Sequence, residues 1–172
     1  MKQMLVVQVD KCVGCKSCEI ACAVEHSASQ VLPTAITESP SPQSRVHVMK
    51  GASFAAPLQC RKCEGAACVA VCPTRALQKD DEGPVVLERD LCIGCMWCVE
   101  ACPFGVITVD SSGSAVVKCD QCYARAAQGR MPACVQACPT RAIEQRGLKD
   151  VVDGKRNAFM VQIERATQET TS

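Results

Sequence analysis

The chain has 172 residues, of which 16 are Cys and only five are aromatic: Phe54, Trp97, Phe104, Tyr123 and Phe159. Cysteine at about 9% marks a cysteine-organised scaffold, and so few rings exclude a core built on aromatic burial. Nineteen basic against 18 acidic residues give a net charge of +1 without a basic stripe, which argues against a nucleic-acid binder. No apolar run approaches the roughly 18 residues of a membrane span, and residues 1–10 are too soon interrupted for a signal peptide, so a cytoplasmic location is expected.

In chain order, residues 5–9 read as a short strand. They lead into the first of four cysteine motifs, Cys12-x2-Cys15-x2-Cys18-x3-Cys22. Residues 33–44, rich in Pro, Ser and Thr, read as a surface loop with a short strand beyond it at 46–49. The second motif is Cys60-x2-Cys63-x4-Cys68-x3-Cys72-Pro73. A strand at 85–87 precedes the third, Cys92-x2-Cys95-x2-Cys98-x3-Cys102-Pro103. The fourth is Cys119-x2-Cys122-x11-Cys134-x3-Cys138-Pro139. Beyond it, Gly147 and residues 153–157 mark turns, and Asn157 is placed to cap a helix over 158–168. Phe159, Ile163 and Ala166 then share one face. That face either packs on its own domain or docks on a partner subunit or a second copy.

The 16 cysteines form four groups of four with none left over. The run C-x2-C-x2-C-x3-C-P is the bacterial ferredoxin signature, in which three thiolates wrap one cubane and the fourth ligates the other. The Pro that follows turns the chain away. Zinc sites take two C-x2-C pairs at longer separation, and disulfides belong with a secretory context. The spacing therefore predicts four 4Fe-4S clusters. Their charge, about −2 each with four thiolates, would move the formal +1 to roughly −7. Complete cysteine sets leave His26 and His47 as surface or packing residues. Trp97 is expected to shield a cluster from water, with Met96, Phe104 and Val106 in the same role. Arg61, Lys62, Arg75, Arg125 and Arg141 lie near the cysteines and read as scattered surface cations. Gly14 and Gly94 fall where the chain must pass close to a cluster.

The motifs repeat in an a-b-a-b order. Asp10-Lys-Cys-Val-Gly-Cys-Lys-Ser-Cys18 matches Asp90-Leu-Cys-Ile-Gly-Cys-Met-Trp-Cys98, and Cys68-Val-Ala-Val-Cys-Pro-Thr-Arg-Ala-Leu77 matches Cys134-Val-Gln-Ala-Cys-Pro-Thr-Arg-Ala-Ile143. Motifs two and three are neighbours and can make one two-cluster unit, leaving one and four. There is no Ser-His or Cys-His nucleophile constellation, no P-loop and no G-x-G-x-x-G, so no catalytic residue is expected.

Three segments carry a resemblance: Pro57-Leu-Gln-Cys-Arg-Lys-Cys63, Cys92-Ile-Gly-Cys-Met-Trp-Cys-Val-Glu-Ala-Cys-Pro-Phe-Gly105, and Lys118-Cys-Asp-Gln-Cys122 through Pro132-Ala-Cys134. With these the chain resembles the four-cluster, ferredoxin-like electron-transfer subunits of multi-subunit oxidoreductases, over roughly residues 5–145. The resemblance implies an α+β fold of two pseudo-symmetric dicluster units with cross-ligated clusters. It implies ligand sets of Cys12, Cys15, Cys18 and Cys138; of Cys60, Cys63, Cys68 and Cys102; of Cys92, Cys95, Cys98 and Cys72; and of Cys119, Cys122, Cys134 and Cys22. Cys22 is followed by Ala23 where the pattern has Pro. A competing scheme pairs motifs one with two and three with four, as tandem ferredoxins. The first unit would hold residues 1–50 and 110–145, the second 51–109, with 146–172 an extension suited to docking a partner. The implied partner is a catalytic subunit, a tungsten or molybdenum pterin enzyme first and a tungsten aldehyde oxidoreductase in particular. Formate dehydrogenase, hydrogenase and carbon monoxide dehydrogenase are the alternatives, as is a free polyferredoxin. A flavin or NAD subunit or a ferredoxin would serve as the second redox partner, and copies could stack end to end.

Overall fold

The computed structural model describes residues 3–79 and 83–169. Its strands are short and pair only in twos. β1 (Gln3–Val7) pairs antiparallel with β8 (Ile143–Gly147), and β2 (His47–Lys50) with β3 (Ala55–Leu58). β4 (Leu77–Lys79) pairs with β5 (Val85–Leu87), and β6 (Ile107–Val109) with β7 (Val116–Lys118). An isolated two-stranded ribbon is marginal in water, so other contacts must fix these four.

Those contacts come from the motif helices. α1 (Ser17–Glu25) carries Cys18 and Cys22 and packs on α6 (Ala133–Gln136), which carries Cys134. α3 (Ala67–Ala70) carries Cys68 and packs on α4 (Trp97–Ala101), which carries Cys98. The segments beside these helices also share backbone conformation. Lys16 and Met96, just before α1 and α4, are both left-handed (φ 61° and 63°), as are Arg75 and Arg141 after the Cys-Pro-Thr runs (φ 55° and 54°).

Two buried clusters result. One joins Cys18, Cys22 and Cys134 to Val46 and Ile143; the other joins Cys98 to Leu77, Val85, Ile107 and Val116. Cysteine thus occupies core positions that aliphatic side chains fill elsewhere.

Three expectations need correction. The expected turn at 153–157 is helical: α7 runs unbroken over Leu148–Glu169. Gly154 costs about 1 kcal/mol relative to Ala there, but Asp153 pairs with Arg156 one turn on (3.6 Å), and good helix formers surround it. Nor is the Phe159 face of that helix buried: the helix meets β8, but residues 154–168 are all exposed and Phe159 is 61% exposed. Trp97 is 60% exposed and leaves most of its ring in solvent. Successive helical residues point about 100° apart, so the inward turn of Cys98 carries its neighbour outward. Within residues 33–44, a single helical turn, α2 (Leu32–Ala35), begins the loop, with α5 (Tyr123–Ala127) the remaining helix.

Gly94 has φ +65°, and a Cβ there would stand 2.5 Å from the Ser114 carbonyl oxygen; at Gly14 (φ +69°) the nearest atom, Ala55 Cβ, is 3.4 Å away. The tight approach at Gly94 is therefore to the backbone of the β6–β7 turn. Left-handed Ala costs about 1–2 kcal/mol at either position, and only Gly94→Ala adds a backbone clash. We expect Gly94→Ala to lower the Tm of the holoprotein and speed iron loss well beyond Gly14→Ala; equal effects in a thermal melt would contradict the clash.

Candidate metal centres

All 16 cysteines are free thiols, and only Cys15 and Cys95 are exposed. The fold gathers them across motifs. One apolar cavity is lined by Cys60, Cys63, Cys68 and Cys102 together with Val85, Phe104 and Ile107. A second is lined by Cys72, Cys92, Cys95 and Cys98 with Leu77, Leu87 and Val116. In both, three cysteines of one motif meet the last cysteine of the neighbouring motif.

The remaining cysteines also act on one another across motifs. Cys138 acts on Cys15 and Cys18. Cys22 acts on Cys119, Cys122 and Cys134. Burial pushes Cys18 and Cys122 up to about 11 and Cys119 up to about 12; Cys134 is raised too, by burial and then by Cys119 and Cys122. A thiolate in such a place needs a metal or cationic partner. Cys12 is half-buried at the head of the first motif.

Links between groups are as specific. Cys18 acts on Cys134, Cys68 on Cys98, and Cys60 on Cys119. Those three links connect the groups in series: the Cys92 group, the Cys60 group, the Cys119 group and the Cys12 group. The exposed cysteines, Cys95 and Cys15, fall in the two terminal groups.

Backbone and side chains orient the sulfurs. Arg45 N donates to Cys22 Sγ (3.2 Å), Gln121 N to Cys119 Sγ (3.3 Å) and Ala142 N to Cys138 Sγ (3.1 Å). Burial raises Cys72 and Cys138, yet the amides of Leu77 and Ile143 and the hydroxyls of Thr74 and Thr140 outweigh it, so both thiols lie below their ordinary value. Gln121 and Cys122 are consecutive left-handed residues, a turn braced by Asp120, whose Oδ1 accepts from Cys122 N (2.9 Å). Asp120 also meets Arg45 Nη1 (2.9 Å) and His26 Nε2 (3.7 Å), and burial pushes His26 below its ordinary value. His26 is thus a packing residue. His47 Nε2 is buried without a protein partner. Arg125 is no loose surface cation: it binds Glu25 and Gln136, and its Nε donates to Met131 O (2.7 Å), tying α5 to α1 and α6.

The residues fit iron–sulfur clusters. Free thiols gathered in fours, backbone amides aimed at sulfur and two thiol-lined apolar cavities are what such groups need. Gln59, next to Cys60, is 1% exposed, and neither of its amide atoms has a protein partner. Sequence reasoning did not single out Lys118. Its signal was strand alternation, because Val116 and Lys118 both face inward on β7, putting a cation where an apolar side chain is the rule.

Comparison with known families decides the kinship. The 4Fe-4S dicluster domain matches residues 52–147, and a 4Fe-4S binding domain matches residues 9–25. This chain belongs to the 4Fe-4S dicluster family. As a member it carries 4Fe-4S clusters, and its four cysteine quartets match four of them. Electron transport protein HydN of Escherichia coli K12 is 37% identical over 155 residues, covering 83% of this chain and 87% of its own. YnfG of the same strain, named as a probable anaerobic dimethyl sulfoxide reductase subunit, is 35% identical over 144 residues, covering 80% of this chain and 70% of its own. The putative electron transport protein YsaA of that strain is 38% identical over 146 residues, covering 84% and 89%. A solved polypeptide of the BamBC active-site complex of benzoyl coenzyme A reductase aligns over 97% of this one and 96% of its own, at 18% identity and a TM-score of 0.45. Both family matches end before α7 begins. Among the described residues, no helix is long and apolar enough to cross a membrane.

Proposed function

We propose that this dicluster protein is a non-catalytic electron carrier that relays single electrons between a catalytic oxidoreductase subunit and a second redox partner. The observation that carries the reading is the series of four neighbouring thiol groups with an exposed cysteine in each terminal group. The ligand sets we assign are Cys12, Cys15, Cys18 and Cys138 for the first cluster and Cys60, Cys63, Cys68 and Cys102 for the second. Cys92, Cys95, Cys98 and Cys72 hold the third, and Cys119, Cys122, Cys134 and Cys22 the fourth. The shared cavities and cross-motif thiol neighbours support these sets. The helix pairs α1–α6 and α3–α4 and the β1–β8 ribbon support two units, residues 1–50 with 110–145 and residues 51–109, which the β2–β3 and β6–β7 ribbons join. When bound, the clusters supply one-electron storage; the chain's own residues orient their sulfurs and exclude water.

The catalytic partner we favour is a cytoplasmic tungsten or molybdenum pterin enzyme, with a tungsten aldehyde oxidoreductase first and formate dehydrogenase, hydrogenase or carbon monoxide dehydrogenase as alternatives. The likeness to a reductase subunit supports a role within a complex. A free carrier is the second reading, favoured by relatives named simply as electron transport proteins. We place the contact with the catalytic subunit on α7, about 33 Å long at 1.5 Å per residue. Val152, Phe159 and Ile163 present an exposed apolar stripe there.

Anaerobic purification from native cells tests both points. The wild type should carry about 16 Fe per chain with tungsten or molybdenum co-purifying. Phe159→Asp should keep its iron and melting temperature and lose the second metal. Nickel would redirect the partner, iron alone would favour the free carrier, a second copy on α7 would make it a stacking face, and zinc without iron would overturn the reading.

A further inference from the structure

The buried lysine at the end of β7 belongs to the middle of the row. Lys118 is 4% exposed. Its Nζ donates to Val85 O (2.8 Å), Cys119 O (2.8 Å) and Cys60 Sγ (3.4 Å). A lysine ammonium has three donors and no acceptor, so all three are used. No carboxylate pairs with it among the described residues. A buried charge without a counter-charge is costly, so the site must supply negative charge of another kind. Lys118 lines the cavity of Cys60, Cys63, Cys68 and Cys102, and its charge acts on Cys68 as well.

The internal repeat sharpens the point. Lys118 immediately precedes Cys119, as Gln59 immediately precedes Cys60. Both side chains are buried, and one is a cation where the other is a neutral amide. Each half reaches toward the other here, since Gln121 Nε2 donates to Cys60 O (3.5 Å). The pseudo-equivalent positions at the junction of the two units therefore differ by one positive charge.

We infer that Lys118 is a potential-setting residue: its ammonium, hydrogen-bonded to Cys60, holds the second cluster at a more positive midpoint than the fourth and makes it the electron-accepting side of the central junction. Reduction adds one negative charge to the cluster and its thiolates. A fixed cation bonded to a ligand sulfur favours that state, and charge-assisted hydrogen bonds are the strong ones. The carbonyls of Val85 and Cys119 hold the ammonium in place, so it cannot swing to solvent.

The test is an EPR-monitored redox titration of purified holoprotein, wild type against Lys118→Gln and Lys118→Arg. This inference rests on the ligand sets proposed above, so Cys102→Ser and Cys22→Ser are titrated alongside to identify components. In Lys118→Gln one midpoint should fall, with at least a tenfold loss of that component's reduced-to-oxidised ratio at a fixed potential, about 59 mV for one electron. The other midpoints should hold, and Lys118→Arg should restore most of the shift. If the shifted component is the one altered in Cys102→Ser, both readings stand. If it is the one altered in Cys22→Ser, Cys63→Ser decides: the same component altered there makes the tandem pairing right and the lysine's role survives, whereas a different component altered there puts the lysine on the fourth cluster and overturns the inference. No shift, or an equal shift of every component, overturns the inference. Should Lys118→Gln lose iron, the wild type still decides: a second-cluster midpoint more negative than the fourth overturns it.

Discussion

Stripping iron from this protein under anaerobic chelation should abolish its tertiary structure. The reason lies in what the fold lacks. Its strands pair only in twos, its motif helices run four to nine residues, and cysteines stand inside both buried clusters. Helices this short are not stable alone, and the five aromatics contribute little, with Trp97, Phe104, Phe54, Tyr123 and Phe159 all exposed. Metal ligation then carries most of the folding free energy, as in other small metal-organised domains. The expected result is loss of near-ultraviolet circular dichroism and of any cooperative melt, with only residual far-ultraviolet helix signal. A chelated chain that still melts cooperatively near the holoprotein's Tm would contradict this account.

Replacing single outlying cysteines should give the second large effect, and it discriminates between the two pairings. Cys22→Ser should convert or remove the same EPR component as Cys134→Ser, and Cys138→Ser the same component as Cys12→Ser. Each should lose up to about four irons of about 16 per chain. The basis is the burial of Cys22 among Cys119, Cys122 and Cys134 and the reach of Cys138 to Cys15 and Cys18. If Cys22→Ser instead removes the component lost in Cys63→Ser, motifs one and two share a pair of clusters as tandem ferredoxins do.

Much of this was legible in the sequence, because cluster ligands must recur at fixed short spacings whatever surrounds them. The cysteine groups, the strands near residues 5–9 and 85–87, and the match between the first and third motifs all follow from local pattern. Other features depend on what lies across the fold. Gly154 and Asn157 read as turn residues, but a helix with no competing tertiary contact keeps going through them. Trp97 reads as a cluster shield until the inward turn of Cys98 sends it to solvent. Lys118 sits in a motif whose cysteines draw the eye, and its role depends on a sulfur 58 residues away. Asp120 likewise reads as an ordinary loop acid, although it braces the left-handed turn at Gln121 and Cys122.

The β1–β8 ribbon bears on how the protein is made. Gln3–Val7 leaves the ribosome long before its partner Ile143–Gly147. The ribbon of Leu77–Lys79 with Val85–Leu87 can close as soon as Leu87 is synthesised. Translation therefore completes the Leu77–Leu87 ribbon before the β1–β8 ribbon and leaves Gln3–Val7 waiting. A nascent or truncated chain that stops short of Ile143 holds an apolar strand edge and the first motif's thiols open to oxygen and to other chains. Such an edge invites aggregation. The first motif is therefore the one most in need of shielding until Ile143–Gly147 has paired with Gln3–Val7.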